Sequence, residues 1–183
     1  MYIIKQEYEN TLEVKKSKFI AHLVPYENYK IRLDELKASH PKARHFVTAY
    51  RYINNYNQIV ESSSDDGEPK GTSGKPSLAV LAGSNLINTA IITVRYFGGI
   101  KLGTGGLVKA YSEAANKVIG IAKLYEYKDE KTINLSIDYN QVRLLEYEIE
   151  KLGINVISKN FEEKVIYTLK AQEELLKSLS FYN

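Results

Sequence analysis

The residues of this chain best suited to chemistry cluster between Glu61 and Lys109. A glycine-rich run, Gly98-Gly99-Ile100-Lys101-Leu102-Gly103-Thr104-Gly105-Gly106, follows an apolar stretch and leads into a helical pattern. Backbone N–H groups left accessible by glycine, added to the positive end of a helix dipole, make a seat for a phosphate or another anion. Arg95, Lys101 and Lys109 flank the run and add positive charge, with Lys70 and Lys75 on the segment before it. The known nucleotide loops do not fit. A Walker loop beginning at Gly98 has Gly103 but then Thr104 where lysine is required, and Gly103-Thr104-Gly105 has Val108 at the third glycine position. The competing reading is that these glycines serve only tight turns and close helix packing.

Asp65, Asp66 and Glu68 form the other chemical cluster. Carboxylate oxygens suit a hard divalent cation or general acid–base work, but a calcium loop alternates its ligands and this segment does not. No histidine lies beside them in sequence to complete a transition-metal site, so a solvated or helix-capping acidic turn is the expectation. The three histidines and the many serines lack a Gly-x-Ser-x-Gly elbow, and no catalytic triad is expected. His45, which leads into an aromatic-rich strand pattern, and Arg51 within it are supporting candidates, with a hydrogen-bonded structural role expected for His45. The 15 tyrosines could stack on bases beside the scattered lysines, but most are expected in core and rim.

Composition narrows the classes. The 183 residues are 44% hydrophobic and 26% charged, ordinary for a globular protein, and allow one large domain or two small ones. There is no cysteine, which excludes disulfides, thiolate metal sites and thiol nucleophiles. No uncharged apolar run approaches the roughly 20 residues of a membrane span, and a cytoplasmic location is expected. Residues 1–127 hold 17 Lys and Arg against 12 Asp and Glu, while residues 128–183 hold 8 against 10. The first part is therefore mildly basic, well short of a dedicated nucleic-acid-binding domain. No metal or cofactor is expected.

The elements that must position these residues follow from periodicity. Residues 2–9 and 17–24 read as strands, with Phe19, Ala21 and Leu23 on one side. Tyr29, Leu33 and Leu36 fall at helical spacing from Glu27 to Ser39, before Pro41. Residues 46–53 alternate as a strand, residues 61–75 read as a loop, and Pro76 suits the first turn of a helix. Residues 90–96 read as a central strand buried on both faces, and 107–122 as a helix with Leu107, Ala110, Ala114 and Val118 on one face. Past a boundary near residue 128 come a strand at 132–137 and a helix striped by Val142, Leu145, Ile149 and Leu152, ended by Gly153. A hairpin at 154–158 and 164–170 and a helix at 172–179 complete a βαββα order, a ferredoxin-like domain without an obvious last strand.

Ser17-Lys18-Phe19-Ile20-Ala21, Ala43-Arg44-His45 with Ala49-Tyr50-Arg51, Asp65-Asp66-Gly67-Glu68-Pro69, Gly71-Thr72, Gly74-Lys75-Pro76, and Arg95-Tyr96-Phe97-Gly98-Gly99-Ile100-Lys101-Leu102-Gly103 with Gly105-Gly106-Leu107 resemble, in order and spacing, the signatures of the YigZ/IMPACT family. The resemblance spans about residues 15–115. It implies an α+β N-terminal domain over residues 1–127, similar to a domain of translation GTPases and small-subunit ribosomal proteins. It also implies a ferredoxin-like C-terminal domain over residues 128–183, like those of elongation factors. Eukaryotic relatives carry an extra N-terminal domain and oppose activation of a kinase that phosphorylates a translation initiation factor; with no such domain here, that role is not expected to transfer. Two departures stand out. Lys109 occupies a position where the family usually has arginine, which keeps the charge but loses the bidentate fork. The chain also stops at Phe181-Tyr182-Asn183, where relatives commonly continue into a last strand.

The resulting expectation is a translation-associated protein that binds RNA, the ribosome or another phosphate-bearing partner through Arg95, Gly98, Gly99, Lys101, Gly103, Gly105, Gly106, Lys109, Lys70 and Lys75. His45, Arg51, Asp65, Asp66 and Glu68 would support that site. The alternatives are an enzyme acting on a small phosphorylated or acidic ligand with the Asp65, Asp66 and Glu68 loop, and a protein–protein adaptor of the translation machinery. Neither the ligand nor the oligomeric state is fixed by these residues.

Overall fold

The computed structural model describes residues 1–179, which fall into two compact units, one of Met1–Tyr127 and one from Lys128 onward. In the first, strands β1 (Tyr2–Ile3), β2 (Tyr8–Val14) and β3 (Ser17–Pro25) precede a 3-10 turn and helix α1 (Tyr29–Ser39). Then follow β4 (His45–Ile53), β5 (Ile59–Ser64), α2 (Gly74–Gly83), β6 (Thr89–Tyr96), α3 (Gly103–Gly120) and β7 (Tyr125–Glu126). Five strands form one antiparallel sheet in the order β2-β3-β6-β4-β5, and β1 pairs with β7.

β6 is the apolar run of the sequence, and it occupies the centre of the sheet with every residue but Tyr96 buried. Its side chains divide between two cores. On one face Ile91 joins Phe19, Ala21, Leu23 and Val47 under the apolar sides of α2 and α3, where Leu81, Leu107, Ala110, Tyr111, Ala114 and Val118 are buried. On the other face Ile92 and Val94 pack with Ile20, Val24 and Leu36 of α1. Each such fully buried aliphatic or aromatic side chain contributes roughly 1.5–3 kcal/mol over an exposed one.

Several elements differ from the sequence reading. The single strand expected at residues 2–9 is two: Tyr2–Ile3 pairs with β7, and Tyr8–Val14 pairs with β3, with residues 4–7 outside either strand. Residues Ile59–Ser64 form an edge strand rather than loop, paired with β4 from Ile53↔Ile59 to Thr48↔Ser64. An edge strand hangs on main-chain bonds and needs no apolar alternation, so the serine run conceals it. Helix α3 starts at Gly103, four residues before the apolar stripe that announces it. Glycine weakens a helix interior by about 1 kcal/mol, but it costs less in the first turn, whose N–H groups have no intrahelical acceptor.

The β2–β3 hairpin turns through Lys15 and Lys16, with φ of 47° and 65°. Two positive φ angles in a two-residue connection make a type I′ turn, the form that matches strand twist. Gly98, just past β6, lies against it: a Cβ there would sit 2.0 Å from the Lys16 carbonyl carbon.

The second unit runs β8 (Glu130–Ile137), a 3-10 turn, α4 (Val142–Leu152), β9 (Asn155–Phe161), β10 (Val165–Gln172) and α5 (Glu173–Lys177), with sheet order β8-β10-β9, antiparallel throughout. Leu145 and Ile149 of α4 are buried on Leu135, Ile137, Val165, Tyr167 and Leu169, with Val142 and Leu152 beside them. Gly153 ends α4 in the left-handed conformation, φ 64°. Phe181-Tyr182-Asn183, where the sequence raises the question of a last strand, lies outside the described residues. Among the described residues no helix is long and apolar enough to cross a membrane.

Candidate anion site at the start of helix α3

Antiparallel register sets the floor of the site. Phe19 of β3, Arg95 of β6 and His45 of β4 lie opposite one another in a single row across the sheet. Because Phe19 belongs to the core under α2 and α3, the row faces those helices. Arg95 is 5% exposed, and its guanidinium lies 5.3 Å from the Phe19 ring centre and 5.9 Å from that of Phe97.

A buried arginine needs an anion, and the loop from β5 to α2 delivers one. Glu68, 8% exposed, accepts hydrogen bonds at Oε1 from Arg95 Nη1 and from the Tyr111 hydroxyl at 2.8 Å. His45 Nε2 lies 3.9 Å from the same oxygen. Burial, followed by the neighbouring Glu68 charge, pushes the Tyr111 hydroxyl far above its ordinary pKa and keeps it a donor. Arg95 Nε is fully buried and has no hydrogen-bond partner among the described residues.

The other two carboxylates of the loop hold backbone. Asp65 accepts at Oδ2 from the Gly71 amide (2.7 Å), and at Oδ1 from the Ser73 amide (3.1 Å), the Ser73 hydroxyl (2.7 Å) and the Gly74 amide (2.8 Å). It thereby closes the loop onto the first residues of α2. Burial raises its pKa, but the Gly71, Ser73 and Gly74 donors outweigh that and hold it at about 2. Asp66 accepts from the Phe46 amide at 2.6 Å, and its carbonyl accepts from His45 Nδ1 at 2.8 Å, which places the histidine proton on Nδ1. Asp65, Asp66 and Glu68 thus serve three different sets of partners.

At the start of α3 no side chain of the described residues caps the helix. Gly103 has φ 74° with no atom within 4 Å of where a Cβ would be. Here the surface opens into a cavity of about 450 Å³, whose wall includes Arg44, His45, Glu68, Arg95, Phe97 and Lys101, together with Leu102, Gly103 and Thr104 at the helix start. Among the described residues Lys101 and Arg44 have no carboxylate within 4.0 Å. Phe97 and Ile100 are each 45% exposed.

The cavity collects Arg95, Lys101, Gly103, His45 and Glu68 of the residues singled out in the sequence, and α3 carries Gly105 and Gly106 in its first turn. Several others lie elsewhere. The Gly98 amide donates to Ser17 Oγ at 3.1 Å and its Cα packs on the hairpin, so it spaces the backbone rather than seating a ligand. Gly99 adopts φ 84° in the connection and does not line the cavity. Lys109 is exposed further along α3, Lys70 is exposed on the loop, and Lys75 borders a separate groove with Gly71 and Val108. Arg51 is at the far end of β4, paired with Glu61 at 2.7 Å and donating to the Leu86 carbonyl at 2.8 Å. Arg95 differs most from its reading as a free cation: it is an internal ion pair with Glu68, and its buried Nε is without a partner among the described residues. Tyr50 and Tyr52 join Tyr26 and Tyr29 in a cluster of contacting rings on β4 and α1, away from this cavity.

Sequence reasoning missed Arg44, Thr104 and Tyr111 as site residues. Tyr111 falls four residues after Leu107 on the buried stripe of α3, so periodicity alone marks it as inward-facing; only burial shows that its hydroxyl must find a partner.

A sequence profile described as the Impact N-terminal domain matches residues 15–119. The chain is 37% identical over 172 residues to an IMPACT family member of Haemophilus influenzae, covering 92% of this chain and 83% of that protein. It is 36% identical over 157 residues to the IMPACT family member YigZ of Escherichia coli, covering 84% and 77% respectively. Among solved structures, the crystal structure of a hypothetical protein aligns over all of this chain and 92% of the other, at 30% identity and a TM-score of 0.67.

Proposed function

The chain belongs to the IMPACT family, and from that premise we propose that it serves translation by binding RNA, on or off the ribosome, through a phosphate held in the cavity at the start of α3. One observation carries the reading. The uncapped first turn of α3 opens beside Lys101 and Arg44, and the fully buried Nε of Arg95 in the same wall lacks an acceptor. A helix N-terminus seats an anion through free N–H groups and the dipole, and Lys101, Arg44 and Arg95 in the wall add positive charge beside it. The C-terminal unit, proposed to be ferredoxin-like, would supply a second surface for the same machinery in a cytoplasmic setting.

The enzyme alternative loses its acid–base set, because Asp65 and Asp66 are committed to backbone donors and only Glu68 lines the cavity. The adaptor alternative keeps one point in its favour, the exposed Phe97 in the cavity wall and the exposed Ile100 three residues on. Anisotropy titration of a labelled RNA separates the readings. Affinity should fall tenfold or more for a fourfold rise in salt, and Lys101→Ala should flatten that dependence by about one counterion. RNA and ribosome binding that is absent or indifferent to salt overturns the proposal, and a salt-insensitive protein partner at Phe97 would replace it.

A further inference from the structure

Resting on that reading of the cavity, we infer that what enters it is a single nucleoside monophosphate unit, its phosphate at the start of α3 and its base unstacked against Phe97. A bare anion does not match the whole wall. Glu68 makes all of its contacts through Oε1, and its second oxygen has no hydrogen bond to a described residue, although the residue is part of the cavity wall. A ligand must therefore bring a hydrogen-bond donor as well as a negative charge. A nucleotide does so: the phosphate meets the α3 amides and Lys101, beside the positive charge of Arg95, while a ribose hydroxyl or base N–H meets Glu68. Phe97, 45% exposed at the rim with the Arg95 guanidinium 5.9 Å from its ring centre, supplies the face on which a base stacks.

Size and shape agree. About 450 Å³ lies within the roughly 300–1,000 Å³ of small-molecule pockets. A concave site of this kind cannot receive a base still paired in a helix, so the strand it reads is single-stranded, at an end or a bulge. The same chemistry is offered by a free mononucleotide, and the test separates the two sources.

The experiment uses the full chain. Anisotropy is measured with a labelled single-stranded RNA and with the corresponding duplex, and the single strand is competed by AMP and by inorganic phosphate. The expected result is at least about tenfold tighter binding of the single strand, AMP competing at lower concentration than phosphate, and a loss of about tenfold in Phe97→Ala. That variant removes a half-exposed ring, and its melting temperature should match the parent. AMP binding by isothermal calorimetry without any strand binding would identify a free nucleotide as the ligand and uphold the inference. Equal affinity for duplex, phosphate competing as well as AMP, and an unchanged Phe97→Ala would overturn it while leaving the anion site intact. No binding of RNA, AMP or phosphate would remove the anion site itself, and this inference with it.

Discussion

Helices α2 and α3 lie side by side on one face of the same sheet, yet their N-termini are finished in opposite ways. At α2 the amides of Gly71, Ser73 and Gly74 converge on Asp65, a carboxylate from the chain itself. At α3 no side chain of the described residues closes the helix, and the carboxylate in the cavity wall, Glu68, is held by Arg95 and Tyr111. Both ends offer the same donors and the same dipole. The first is therefore part of the folding of the loop, whereas the second is the end at which the proposed phosphate would sit.

The comparison can be broken at α2 first. Asp65→Ala should lower stability by about 2–3 kcal/mol, since four donors lose a charged acceptor, read as a drop in melting temperature. RNA affinity should stay within about twofold of the parent; a large loss would mean that the two helix ends are not independent. Acid gives the next largest effect. The folded carboxyl of Asp65 is held at about 2, below the unfolded value near 3.9, so its contribution is full above about pH 5 and disappears as pH falls through 2. Chemical denaturation should show the gap between the parent and Asp65→Asn, on the order of 2 kcal/mol, closing between pH 5 and pH 2. A gap that persists at pH 2 would assign it to packing instead. The smallest effect sharpens the comparison from the other side. Thr104→Asp places a carboxylate at the open seat and should stabilise the fold by no more than about 1 kcal/mol, while weakening RNA binding about tenfold. Unchanged binding would show that the phosphate does not sit at α3.

How far the sequence foretold these two ends depends on the range of the interactions. β6 and α4 were readable because their signals are local: an unbroken apolar run marks a strand buried on both faces, and the Val142, Leu145, Ile149 and Leu152 stripe marks a helix. The Asp65 cap was also within reach, because a carboxylate a few residues before a helix is a local signal. The pairing of Glu68 with Arg95, 27 residues on, and with Tyr111, 43 residues on, was not, since nothing local distinguishes a buried carboxylate from a solvated one. For the same reason Arg95 read as an open cation. β5 was hidden by its serines, because an edge strand is specified by the neighbour it pairs with.

Gly98 has a consequence well away from its own position. With the backbone of Lys16 and Ser17 pressed where its side chain would be, the point at which the chain leaves the sheet for α3 is gauged by the tip of the first hairpin. Exposed hairpin tips ordinarily absorb insertions without penalty. Here one extra residue between Val14 and Ser17 would wedge the crossing outward and be felt as altered ligand affinity, eighty residues downstream of the change on the chain but adjoining it in space.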